Sequence, residues 1–109
     1  IKEINGIKFI GQVLNGIPAK ELRGLADDAK KRLGSGVIAY IAVNDGKAAV
    51  LTAVTDDIKD KFSAVDLVRV GAEAVGGKGG GGRPDMAQAG GPNGADAAEA
   101  LKAIESALS

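Results

Sequence analysis

The chain has 109 residues with 14 basic and 14 acidic side chains, hence no net charge at neutral pH, and this length suits one domain with a modest core. It holds no cysteine and no histidine, which removes disulfides, thiolate nucleophiles, a histidine general base, the common zinc ligand sets and any Ser-His-Asp hydrolase. Balanced charge excludes the strong positive field of an autonomous nucleic-acid binder, so contact with a polyanion must be local.

The remaining exclusions follow from position. The acidic residues are scattered, so no metal site is expected. No apolar run approaches a membrane span and no signal-like start is visible, which reads as a soluble cytoplasmic protein. The chain opens on Ile1 rather than methionine, as a piece of a longer polypeptide would.

In chain order, the apolar-rich stretch from Ile7 to Leu14 reads as a first strand. Pro18 is placed to open a helix, in which Leu22, Leu25, Ala26, Ala29 and Leu33 recur at helical spacing until Gly34 ends it. Acids at its start and Lys30-Lys31-Arg32 at its end match the helix dipole, the plain account of that basic cluster. A second account makes Lys30 and Lys31 RNA contacts. Val37 to Val43, the turn Asn44-Asp45-Gly46 and Ala48 to Val54 form a β-hairpin. Both runs are almost continuously apolar, which places them inside a sheet covered on both faces.

Thr55 to Phe62 is a charged connection. Ser63 with Asp66 resembles a capping box opening a helix that carries Leu67, Val68, Gly71, Ala72 and Val75 on one side, with Gly71 allowing close packing. Met86 to Ala89 reads as a strand, Gly90 to Gly94 as a turn, and Ala97, Leu101, Ile104 and Leu108 as the face of a final helix. The order β-α-β-β-α-β-α predicts a single α/β domain over residues 1–109, with a mixed four-stranded sheet and three helices. Phe9, Tyr40 and Phe62 are the only aromatic residues. They read as packing residues, which argues against RNA-recognition-motif and OB-type folds that stack bases on aromatic rings.

Six glycines fall within residues 76–82, in the run GGKGGGGRPDMAQAGG. Glycine is costly to order, so such a run needs a reason. One reading is a flexible linker. The other is a segment that presents backbone N–H groups to an anion, aided by Lys78 and Arg83. The flanking helix and strand favour the second. A P-loop is excluded, because Lys78 is followed by glycines and then Arg83-Pro84 rather than by Ser or Thr opening a helix. The dinucleotide fingerprint fails because this run closes a helix and leads into a strand.

The run from Gly76 to Gly91, together with Leu22-Arg23, Asp27-Asp28-Ala29-Lys30 and Leu33-Gly34-Ser35, resembles the C-terminal domain of the bacterial alanyl-tRNA synthetase family over essentially the whole chain. This domain is related to the one that accompanies DHH phosphoesterases. One departure stands out: four glycines separate Lys78 from Arg83 where the resemblance leads one to expect three.

The resemblance implies a non-catalytic domain that grips the tRNA(Ala) elbow, where the D and T loops meet, and supports aminoacylation and editing by other domains of a parent ligase. ATP, magnesium and zinc would belong to that parent and no cofactor to this chain. The RNA-binding residues implied are Gly77, Lys78, Gly79, Gly80, Gly81, Gly82, Arg83, Asp85 and Gln88, with Asp85 holding Arg83 or accepting from a ribose. Two rivals remain open. One is a DHH-type phosphoesterase domain, whose glycine signature carries a histidine, or a free-standing alanyl-tRNA editing protein. The other is an oligomerisation module that pairs helical faces such as Ala97 to Leu108 into a homodimer.

Overall fold

The computed structural model describes residues 2–77 and 81–108. In chain order the elements are strands β1 (Lys2–Ile4) and β2 (Ile7–Asn15), helix α1 (Leu22–Leu33), strands β3 (Val37–Asn44) and β4 (Lys47–Val54), helix α2 (Ala64–Ala74), strands β5 (Gly81–Arg83) and β6 (Met86–Gly91), and helix α3 (Ala97–Leu108). The fold is α/β with three helices, as expected, but the sheet has six strands in the order β1-β2-β3-β4-β6-β5 rather than four. The two additional strands are both short edges. β1 pairs with β2 through a two-residue turn in which Asn5 and Gly6 have φ of 52° and 80°. That is the Asn-Gly signal of a type I′ hairpin. β5 carries two glycines and an arginine, all exposed, so no apolar pattern marks it; only backbone pairing with β6 makes it a strand.

β2 and β3 are parallel and joined by α1, whereas β3–β4, β4–β6 and β5–β6 are antiparallel. The turn between β3 and β4 is Asp45-Gly46, with φ of 52° and 76°. Side chains alternate across the sheet, so it carries two cores. On one face Leu22, Ala26, Ala29 and Leu33 of α1 meet Ile38, Tyr40, Ala42, Leu51 and Ala53. On the other face Leu67 and Val68 of α2 and Ala100, Ile104 and Leu108 of α3 meet Phe9, Val37, Ile41, Val50 and Ala87. The continuous apolar runs of β3 and β4 are thus covered on both sides, and Phe9 and Tyr40 are buried, as their patterns predicted.

Three local details differ from the sequence reading. Leu25, assigned to the apolar face of α1, is 39% exposed, because the buried stripe runs through Leu22, Ala26, Ala29 and Leu33. Pro18 precedes a single 3-10 turn at Ala19–Glu21 instead of opening α1 directly. Ser63 does cap α2, but it accepts from the Val65 N–H at 3.2 Å, the second amide of the helix rather than the third that a capping box uses.

Other details hold. Gly34 ends α1 with φ of 77° and donates to the Lys30 carbonyl at 2.9 Å. A Cβ on Gly71 would lie 2.9 Å from both Ile104 Cδ1 and Val50 Cγ1, so α2, α3 and β4 meet there through the missing side chain. The apolar face of α3, which the rival oligomerisation reading would pair between chains, packs inside the domain: Ala97, Ala100, Ile104 and Leu108 are buried.

Candidate nucleic-acid interface

α1 packs over β3 and β4, so β6 and β5 extend past it as an uncovered ledge on that face of the sheet. Arg83 pairs with Met86 across the β5–β6 ladder, and strand alternation then puts Arg83, Met86 and Gln88 on the same side, facing the helix. From α1, Arg23, Asp27 and Lys30 recur at positions i, i+4 and i+7, which brings them onto one face. Arg23, Asp27, Lys30, Arg83, Asp85 and Met86 line a cavity of about 240 Å³ at this junction. Three cations and two carboxylates therefore converge where the glycine run meets the first helix.

The backbone fixes the turn that carries Arg83 and Asp85. The Val54 N–H donates to the Asp85 carbonyl at 2.9 Å, and the Ala64 N–H donates to the Pro84 carbonyl at 2.8 Å. One bond prolongs the β4–β6 ladder by a residue and the other uses a free amide at the start of α2, so the turn is tied from two sides. Lys30 Nζ lies 3.9 Å from Asp85 Oδ2, with the two side chains 21% and 35% exposed, so this ion pair is only partly screened. Asp85 thus pairs with Lys30, and among the described residues it forms no ion pair with Arg83, which corrects the first of the two roles read for it and leaves the ribose contact untouched. The Arg23 and Arg83 guanidiniums enter none of the ion pairs or hydrogen bonds among the described residues. Gln88 Nε2 donates to the Ala19 carbonyl at 3.5 Å, a long bond that links β6 to the turn before α1.

The other expected contacts separate into groups. Lys31 lines a different depression, with Lys30, Gly34, Thr55, Asp56 and Asp57. Lys78, Gly79 and Gly80 lie outside the described residues. Gly77 follows the end of α2, where its N–H donates to the Ala72 carbonyl at 2.7 Å, and a Cβ there would collide with the Gly90 carbonyl oxygen. Gly82, with φ of 150°, would place a Cβ 2.6 Å from Ala87 Cα. Both glycines therefore have a reason internal to the fold. Gly81 is exposed, and no atom of the described residues comes within 4 Å of the place a methyl would take on its Cα.

Arg23 and Asp27 are the charged members of the cavity that the sequence reading did not select. Their signal was the shared helical face with Lys30, hidden because the dipole already explains a basic C-terminus on α1. Beside this cavity lies a second polar cluster. Asp57 accepts from the Ser35 hydroxyl and from Thr55 Oγ1 at 2.5 Å, while the Gly36 N–H donates to Thr55 Oγ1 at 2.9 Å. The Ser35 and Thr55 hydroxyl donors hold the Asp57 carboxyl below its ordinary pKa. This network ties the loop after α1 to the loop after β4.

The DHHA1 domain matches residues 6–109 of the chain. The chain belongs to the DHHA1 domain family. The alanine–tRNA ligase of Sinorhizobium medicae (strain WSM419) is 61% identical over 108 residues, and that of Paramagnetospirillum magneticum (strain ATCC 700264 / AMB-1) is 59% identical over 107. Each alignment covers 98% of this chain and 12% of the relative, so the chain spans about an eighth of those ligases. Among solved structures, the C-Ala domain of Aquifex aeolicus alanyl-tRNA synthetase superposes with a TM-score of 0.91 at 29% identity, covering 98% of this chain and 96% of that one. Among the described residues no helix is long and apolar enough to cross a membrane.

Proposed function

We propose that the chain is the tRNA-binding C-terminal domain of an alanine–tRNA ligase, gripping the tRNA(Ala) elbow while other domains of the ligase aminoacylate and edit. It is itself non-catalytic and works in the cytoplasm, where the parent would use ATP, magnesium and zinc in parts outside this chain. The observation that carries this reading is the convergence of Arg83 with the cations of α1 at an open ledge beside the glycine hairpin, in a chain otherwise neutral overall. An RNA elbow exposes phosphates, 2′-hydroxyls and loop bases, which suit a few fixed cations and close backbone better than a groove-reading helix. With extents of 35 × 23 × 23 Å the domain covers one corner of a tRNA and no more. Weak binding of this kind gains force when tethered to a ligase body. The identity to two ligases supports this reading over a DHH-type phosphoesterase or a separate editing protein.

The test is filter binding of a tRNA(Ala) transcript by the chain between 50 and 200 mM salt. Neutralisation of about three phosphates predicts roughly a forty-fold loss of affinity across that range. The Lys78→Ala/Arg83→Ala double variant, shown to be folded by circular dichroism, should bind weakly. Flat salt dependence or undiminished binding by the folded variant would overturn the reading.

A further inference from the structure

We propose that helix α1 forms the second wall of the RNA site, with Arg23 and Lys30 joining Arg83 around a single backbone phosphate. This inference rests on the RNA-binding reading above and adds to it Arg23 of the first helix, a shared role for Lys30, and a stoichiometry of one phosphate.

The argument begins from what the cavity would be if it were only structural. Five charged groups facing one opening would then be expected to pair among themselves, yet Lys30–Asp85 is the sole ion pair formed there among the described residues. Among the described residues neither guanidinium enters a hydrogen bond or ion pair, both side chains are exposed, and they line the same opening, one from α1 and one from the end of β5. A guanidinium offers a planar fork that matches a phosphate, and two such forks lining one small cavity suit one phosphate shared between them.

Lys30 completes the arrangement as a point charge. At 3.9 Å its ammonium is within electrostatic reach of Asp85 but beyond hydrogen-bond distance, so the carboxylate holds the side chain over the opening without consuming its donors. Asp27 and Asp85 leave the five groups with an excess of one positive charge. That small excess fits a single phosphodiester and disfavours a run of phosphates, for which unopposed lysines would serve. The turn carrying Arg83 is tied to β4 and α2 by backbone bonds, and Arg23 and Lys30 stand on a packed helix, so the two walls are held in register before ligand arrives.

The experiment uses the chain with a tRNA(Ala) transcript, measuring affinity against salt for the wild type, Arg23→Ala, Lys30→Gln, Arg83→Ala and the double variant Arg23→Ala/Arg83→Ala. All substituted side chains are at the surface or half-buried, and circular dichroism with a thermal melt verifies each fold. Arg23→Ala and Lys30→Gln should each weaken binding roughly five- to tenfold. Each single arginine variant leaves two cations on the phosphate and should lower the salt slope by well under about 0.9, and the double variant should lower it by no more than about 0.9 in all, the share of one phosphate. If Arg83→Ala weakens binding while Arg23→Ala and Lys30→Gln bind like the wild type, the second wall is disproved and the RNA-binding reading stands. A double variant whose slope falls by about 1.8, two phosphates' worth, places the two arginines on separate phosphates and overturns the shared site. A wild-type chain that binds no tRNA refutes the RNA-binding reading itself.

Discussion

Gly77→Ala and Gly81→Ala separate two reasons for glycine within one run. At Gly77 an added methyl would overlap the Gly90 carbonyl oxygen and stand 3.2 Å from the Ala72 carbonyl oxygen, the acceptor of Gly77's own N–H. Both obstacles are backbone, so relief requires the end of α2 to part from β6. Forcing extra volume into such a contact costs about 2 kcal/mol. For a domain of this size that loss lowers the melting temperature by roughly 8–12 °C. At Gly81 no atom of the described residues lies within 4 Å of the added methyl, the residue is exposed, and its φ falls outside the positive range. There the alanine should be neutral, or stabilising by about 0.4 kcal/mol through a less flexible unfolded chain. Urea unfolding followed by circular dichroism measures both, and RNA binding at a temperature where both variants are folded measures the rest. Close backbone approach to RNA at the hairpin predicts weaker binding for Gly81→Ala without loss of stability. A Gly77→Ala protein that unfolds within about 0.5 kcal/mol of the wild type would refute the packing argument, because no smaller shift accommodates the methyl.

The remaining expectations concern the scaffold. Ile104→Ala, at a fully buried side chain that packs against Gly71, should cost about 3 kcal/mol in urea unfolding. Asp57 has a folded pKa below its unfolded value of about 3.9. Its contribution to stability is therefore complete above that value and lost as pH falls through the folded pKa. Asp57→Asn should be less stable near neutral pH and flatter in its stability below about pH 4. A variant whose acid limb keeps the wild-type slope would show that the Ser35 and Thr55 bonds do not favour the ionised form.

What was legible in the sequence follows from how each element is stabilised. α1, α2, α3, β3 and β4 bury apolar side chains at fixed spacing, and burial is what periodicity reports. Val37 to Val43 announced a strand covered twice because its apolar residues run on without the alternation a half-exposed strand shows. β5 was not legible for the converse reason: Gly81, Gly82 and Arg83 bury nothing, and the strand exists because β6 offers an open ladder. β1 was legible in principle, through Asn5-Gly6, but its three residues carry too short an alternation to stand out.

The site divides along the same line. Glycine density pointed to residues 76–82, yet Gly77 and Gly82 turn out to be demanded by contacts with Gly90 and Ala87, so composition alone mixed packing with exposure. The charges on α1 posed the opposite difficulty. Lys30 satisfies the helix dipole, and Arg23 and Asp27 read as ordinary solvated positions, so each has a sufficient local explanation. Only the tertiary fold reveals that the uncovered half of the sheet extends from beneath that helix face, bringing Arg83 and Asp85 to it from a distant part of the chain. A helix-to-sheet offset has no sequence signature, since it depends on how many strands lie beyond the helix, and here those include β5, whose three residues are all exposed.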